Sequence, residues 1–428
     1  MAELYAGFGR SDITPRLGCK LVGYSNRKGG ATGVHDPLTA RALVLKSGAQ
    51  SWALMSTDLC FVSALTVSQA RTAIEKRTGI PASHILIATT HNHSGPDDGE
   101  AGNWDRPLTD LLADAVAQAQ AALQPASLGS AFGFLYGHSI NRRWLDRPVD
   151  PALGVIRVDA ADGRPLGMVA NFACHGVVLG PDNLLISADW PGQACRHLEK
   201  ALGEGSTCLY FQGGCANVNP LVAGVRQRLE AGHTVVSIGG ISHYYGAADD
   251  PQAWNIGDRS GGTFAEVDEL AEAFAKEALH VWRSIHPNDN PQLWSQQLTV
   301  DAKRSPDEPI SAAVPPMPVA EERLEAISDE QGRIPAEIML VKIGDALLLS
   351  EPGEVFSETA VTFRTRLRLL GYRAPMLFGY ANGVLAYLPE PEAFDEGGYE
   401  PTWPSALGIS RYFQRRVWEA VEKALKPG

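Results

Sequence analysis

His84-Ile85-Leu86-Ile87-Ala88-Thr89-Thr90-His91-Asn92-His93-Ser94-Gly95-Pro96-Asp97 is an apolar run that stops at two histidines and a turn. It reads as a buried strand that delivers chemistry at its carboxyl end. If the strand runs on past Thr90, alternation places His91 and His93 on one side, and Gly95-Pro96 ends it. Neutral imidazole is a common ligand for zinc and other borderline metals, so the pair is a candidate metal site. The competing reading is a turn whose histidines are merely solvated.

Upstream, Ala40 to Lys46 and Trp52 to Ser56 read as adjacent strands, the second ending at Thr57-Asp58-Leu59-Cys60. Asp58 could orient a metal-bound imidazole, or it could cap the helix that the pattern places from Leu65 to Lys76. Downstream, Leu108 to Leu123 carries leucine and alanine at helical spacing. Strand, helix, strand, helix in this order favours an α/β architecture with a mostly parallel central sheet. Gly154 to Val158 and Leu166 to Phe172 form a hairpin around Ala161-Asp162-Gly163, and the second strand ends at Cys174-His175-Gly176. There the glycine permits close approach by other groups. Asp189 opens a helix through Leu202, and Gln212 to Pro220 reads as a tight turn presenting amides.

Further on, Leu221 to Gly262 lacks periodicity and is expected to be an irregular insertion, a candidate lid; Thr263 to Ile285 is a long helix candidate. Proline-rich residues 304–318 are a candidate subdomain connection within an otherwise single domain spanning 1–428. The hairpin Glu337 to Ile343 and Ala346 to Ser350 leads to Pro352-Gly353-Glu354, where Glu354 reads as an acid at the start of a helix through Arg368. Ile409 to Leu425 is the closing helix.

With 428 residues and 44% hydrophobic content the chain can bury a large core. A net charge of −12 with scattered basic residues argues against nucleic acid or an anionic membrane as partner. No run approaches the roughly 18 apolar residues of a membrane span, and the first residues do not resemble a secretory signal, so the expected location is cytoplasmic. The expected partner is a small-molecule substrate; the pattern leaves the oligomeric state open. Cys19, Cys60, Cys174, Cys195, Cys208 and Cys215 have no Cys-x-x-Cys spacing and read as buried thiols, with Cys174 or Cys215 as a nucleophile the alternative.

Taken together, Thr90-His91-Asn92-His93-Ser94-Gly95-Pro96, Asn141-Arg142, Cys174-His175-Gly176, Pro352-Gly353-Glu354 and the Tyr387/Tyr399 pair resemble the neutral/alkaline, non-lysosomal ceramidase family. The resemblance implies a mixed central sheet flanked by helices, as in that family's catalytic domain. It also implies one zinc ion held by His91, His175, Glu354 and Tyr387, with His93, Arg142 and Tyr399 acting on the substrate. Two imidazoles, a carboxylate and a phenolic oxygen leave room for water on a Lewis-acidic ion, and zinc lowers the pKa of bound water toward ~7. His93 is then expected to accept the water's proton, Tyr399 to stabilise the oxyanion, and Arg142 to orient a polar or carboxylate end.

The chain departs from the family in two respects. The family's C-terminal β-sandwich domain is expected to be absent, and its Gly-Asp-Val-Ser-Pro-Asn turn is here Ala216-Asn217-Val218-Asn219-Pro220-Leu221, which puts Asn219 where the active-site serine falls. The expected reaction is zinc-dependent cleavage of a linear amide, on a small or medium polar substrate rather than ceramide. Alternatives are ester or lactone hydrolysis, and a non-catalytic sugar- or lipid-binding protein. Iron or manganese in place of zinc, or a second metal near Asp58, is compatible with the same residue types.

Overall fold

The computed structural model describes residues 3–426, apart from 101, 145, 315, 320, 223–233, 237–252 and 256–260. Most of the expected insertion therefore lies outside the described residues.

Eight strands form the larger sheet: β1 (Leu4–Asp12), β2 (Thr39–Ser47), β3 (Gln50–Thr57), β4 (Ile85–Thr89), β5 (Gln124–Phe134), β6 (Ala152–Ala160), β7 (Pro165–Phe172) and β8 (Thr207–Gln212). Their order is β8-β7-β6-β5-β1-β2-β3-β4. A second sheet runs β9 (Leu293–Asp301), β10 (Pro335–Ile343), β11 (Ala346–Ser350) and β12 (Ala374–Phe378) in that order. The helices that cover them are α1 (Ala64–Thr78), α2 (Leu108–Ala121), α3 (Asp189–Leu202), α4 (Phe264–Ser284), α5 (Ser357–Leu369), α6 (Tyr399–Ala406) and α7 (Phe413–Leu425).

The mixed α/β class is as expected, but the large sheet is not mostly parallel. The pairs β1–β2, β2–β3, β1–β5, β5–β6 and β6–β7 are antiparallel. Hairpin connections such as Gly48 and Asp162-Gly163 are short enough only for antiparallel neighbours. Within these two sheets, parallel pairing is found at the two edges of the larger, β3–β4 and β7–β8, and at β11–β12 of the second.

Alternating side chains divide the core into layers. Ile85 and Ile87 of β4 face Val67, Ile74, Leu112 and Val116 of α1 and α2. Leu86 and Ala88 face inward, where Val169, Leu209 and Phe211 meet Met339, Val341, Leu348, Met376 and Phe378 of the second sheet. Beyond the other half of the large sheet lie α3 and α4, with Trp190, Leu198, Leu270 and Phe274. Helices α5 and α7 cover the outer face of the second sheet through Phe363, Phe413 and Val417. The sandwich thus has helices outside and sheets inside.

The large sheet also curls. The Ser56 hydroxyl of β3 donates to the Tyr210 carbonyl of β8, although these strands lie near opposite edges in the order. Curling lets the segments beyond β4 and β7 meet, with Asn92 and Gly176 in a parallel bridge. Glu308, from the proline-rich connection, reaches the segment just before α7, where its carboxylate accepts from Ser410 Oγ and Arg411 N.

Candidate metal centre

Strand β4 stops at Thr89, and His91 does not continue it: its φ is 57°, in the left-handed region. Strand alternation is therefore not what unites the histidines. The His91 backbone turn brings its Nε2 to 3.1 Å from His93 Nε2. The turn is held by Thr90 N donating to Thr57 O and Asn92 N to Leu59 O, while the Asn92 side-chain amide donates to the carbonyls of Asp58 and Ser187. Gly176 carries the expected close approach, since a Cβ there would lie 2.9 Å from His91 O.

His91, His175 and Glu354 each offer a ligand atom, and these atoms lie within 4.8 Å of one another. Glu354 Oε2 is 3.5 Å from both His91 Nε2 and His175 Nε2. Each imidazole has its other nitrogen engaged: His91 Nδ1 meets Cys60 O at 3.1 Å, and His175 Nδ1 meets Cys215 O at 2.7 Å and Val218 O at 3.1 Å. A neutral ring donates its Nδ1 proton to those carbonyls and turns the Nε2 lone pair inward. Two lone pairs and a carboxylate then face each other with no proton between them, which suits a cation. Burial first, then the Arg142 charge, lowers the His175 pKa to about 4, so this ring is neutral at physiological pH. Burial raises the Glu354 carboxyl, while a proton on a facing imidazole Nε2 draws it far below the ordinary carboxylate range, so the carboxylate favours positive charge at this point.

Glu354 is not at a helix start. It lies in the two-residue strand Glu354–Val355, paired in parallel with Tyr387–Leu388, and α5 begins only at Ser357. That pairing sets Glu354 opposite Tyr387 in register. Arg142 joins the groups: Nη2 donates to Tyr387 Oη at 3.3 Å, and Nη1 lies 3.4 Å from His175 Nε2. Tyr399 packs edge-on to Tyr387 with ring centroids 5.6 Å apart and is 48% exposed, so it reaches solvent beside the buried centre. His93 is buried, its pKa lowered by that burial and by His91 and His175, and the loop residue Gly23 lies so close that a Cβ would meet His93 Nδ1 at 2.3 Å. Asn219 is buried beside Val218, and its Oδ1 has no hydrogen-bond partner among the described residues.

Asp58 plays neither expected part. Its Oδ2 accepts from Arg41 Nη1 and Thr39 N, both at 2.9 Å, while Ser63 caps α1. The six cysteines are free and buried, and burial raises the thiol pKa of Cys60 and Cys215. Four residues without a motif also shape the centre. Gln212 Nε2 bridges Thr90 O and Cys174 O, tying together the two histidine-bearing segments. Glu400, fully buried, accepts from Arg142 Nε at 2.9 Å and Arg143 Nη1 at 2.7 Å. Cys60 supplies the His91 carbonyl partner, and Tyr380 reaches Glu354. Only the position of Gln212, closing an apolar strand, gave a sequence signal.

The family model for neutral/alkaline non-lysosomal ceramidase, N-terminal, matches residues 4–104. A neutral ceramidase of Mycobacterium tuberculosis is 28% identical over 233 residues, 47% of this chain and 36% of that protein. One from Pseudomonas aeruginosa is 26% identical over 244 residues, 50% of this chain and 36% of that protein. The matched segment thus spans little more than a third of these curated relatives. The crystal structure of the Pseudomonas aeruginosa neutral ceramidase superimposes with a TM-score of 0.77 at 19% identity, covering 99% of this chain and 74% of that one. A solved structure described as ceramidase complexed with C2 gives 0.74 at 18% identity, over 98% and 74%. At these identities the structural likeness shows the fold.

Proposed function

The chain belongs to the neutral/alkaline non-lysosomal ceramidase family, and from that premise we propose that it is a zinc-dependent hydrolase of an N-acyl amide bond. The observation that carries the proposal is the convergence of His91, His175 and Glu354 ligand atoms with both imidazole Nδ1 positions tied to carbonyls. His91, His175 and Glu354 would hold the ion, and Tyr387, opposite Glu354 in register, is the fourth candidate. When bound, zinc supplies Lewis acidity and lowers the pKa of water toward neutrality.

The remaining roles fall to the chain's own groups. His93, kept neutral by burial, is free to take a proton from the attacking water. Tyr399, half-exposed beside Tyr387, would donate to the carbonyl oxygen of the substrate. The Arg142 charge is already balanced by Glu400, so Arg142 serves as a directed hydrogen-bond donor rather than as a free cation for a carboxylate. Asn219 offers an amide from the Val218–Pro220 segment for binding the substrate's polar part.

The comparisons favour ceramide over the small polar amide expected from Asn219, because the curated relatives reported are neutral ceramidases. Ceramide is accordingly the first substrate to try, with esters and lactones as the second reading. Purified wild type should contain stoichiometric zinc and release fatty acid from ceramide; His91→Ala and Glu354→Ala should lose both metal and activity. A folded wild type unable to take up zinc would overturn the proposal. Zinc uptake with cleavage of esters or lactones alone would move the reaction to the second reading.

A further inference from the structure

Tyr380 is buried, and its backbone is in the left-handed region at φ 54°, a conformation that bulky L residues rarely adopt. The turn is pinned on both sides: Tyr380 N donates to Gly353 O at 3.0 Å, and Thr89 N donates to Tyr380 O at 3.2 Å. From there the ring stacks on His91, with centroids 4.0 Å apart and planes 22° from parallel. Its Oη lies 3.3 Å from Glu354 Oε2, the same oxygen that faces both imidazoles. On its other side the Oη lies 3.1 Å from Cys215 Sγ, and the Cys215 carbonyl accepts the His175 Nδ1 proton.

We propose that Tyr380 is a positioning residue for the metal centre: its ring fixes the plane of His91, and its hydroxyl, backed by the Cys215 thiol, fixes the Glu354 carboxylate. The proposal rests on the metal reading above and deepens it. A carboxylate accepts and cannot donate, so Tyr380 O–H donates to Glu354 and Cys215 S–H donates to Tyr380 Oη, a two-link relay. Without that donor, Glu354 Oε2 keeps only the imidazole faces around it, and the carboxylate is free to rotate about its terminal bond. The His91 ring meets Cys60 O at Nδ1 and His93 at Nε2, contacts at its edge, while Tyr380 is the ring stacked on its face. One side chain therefore touches two of the three converging groups and reaches the third through Cys215.

The test separates this role from mere core packing. Tyr380→Phe keeps the ring, the stack and the burial and removes only the hydroxyl. Zinc affinity, measured by competition with a chromophoric chelator, is expected to fall about 10–100-fold, the range typical of groups that support metal ligands. The visible absorption band of the cobalt(II)-loaded variant is expected to shift, while the unfolding midpoint of the metal-free protein changes little. A zinc Kd within about twofold of wild type, together with a superimposable cobalt band, would overturn the proposal. Should Tyr380→Phe not fold, Cys215→Ala withdraws the partner of the same hydroxyl; a shifted cobalt band supports the relay and an unchanged one overturns it. Wild type is measured first, so failure to take up any metal would overturn the metal reading itself and this inference with it, whereas normal wild-type uptake isolates Tyr380.

Discussion

Glu400 sits between two arginines, accepting from Arg142 through Oε1 and from Arg143 through Oε2. A buried guanidinium beside a cation site would repel the cation unless its charge were balanced nearby, and Glu400 supplies that balance. Glu400→Ala is expected to cost about 3–5 kcal/mol of unfolding free energy, because it leaves buried charge unpaired; urea titration measures it. Among single residues, the histidines and Glu354 were legible because each stands at the end of an apolar run or beside Pro-Gly, where a polar residue is conspicuous. Glu400 and Tyr380 were not, because their partners lie far away in the chain and no local spacing announces them. For His91 the expectation of strand alternation fails, since a left-handed turn sets its direction.

At the scale of elements, the three parallel pairs of the two large sheets share one property: their carboxyl ends meet. Segments beyond β4 carry His91 and His93, those beyond β7 and β8 carry His175 and Asn219, and those beyond β11 and β12 carry Glu354 and Tyr387. The sequence showed the strands, their ends and the hairpin partners but not the parallel partners, because an apolar run of five or six residues looks the same in either pairing direction. Glu351, the first residue after β11, anchors this turn to α7 through Gln414, whose Nε2 donates to its Oε2 at 2.9 Å. Burial, partly opposed by that hydrogen bond, pushes the Glu351 carboxyl up to about 8 from 4.5. Between those values the unfolded chain has released a proton that the folded one retains, so stability falls as pH rises through the window and levels off above it. Glu351→Gln, neutral throughout, should flatten this slope: unfolding free energy measured from about pH 5 to about pH 8.5 should decline more steeply in wild type than in the variant.

For the molecule as a whole, the layer between the sheets is decisive. Phe211 of β8 stacks on Phe378 of β12 with centroids 4.3 Å apart. Arg71 of α1 makes a two-point ion pair with Glu337 of β10, and Asn382 links Glu337 to the Ile87 amide of β4. Phe378→Ala is expected to cost about 3–5 kcal/mol. Calorimetry should show both sheets melting in one transition whose midpoint falls; two separated transitions would mean that the layer does not couple them. Composition alone predicted a large core, but its division into four parts depends on which face each strand presents after the sheet curls.

The Glu354–Tyr387 pairing also has a consequence on the ribosome. The strand carrying His91 and the hairpin leading to His175 emerge before Glu354, Tyr387 and the second sheet. At synthesis rates of roughly 5–20 residues per second, the interval from His91 to Glu354 is on the order of tens of seconds. Throughout that interval the inward face of the first sheet, with Leu86, Val169 and Phe211, has no partner layer. The nascent chain must carry an exposed apolar surface and an incomplete pair of imidazoles until its last third arrives, which makes that stage the one most in need of a chaperone and most open to capture of the wrong metal.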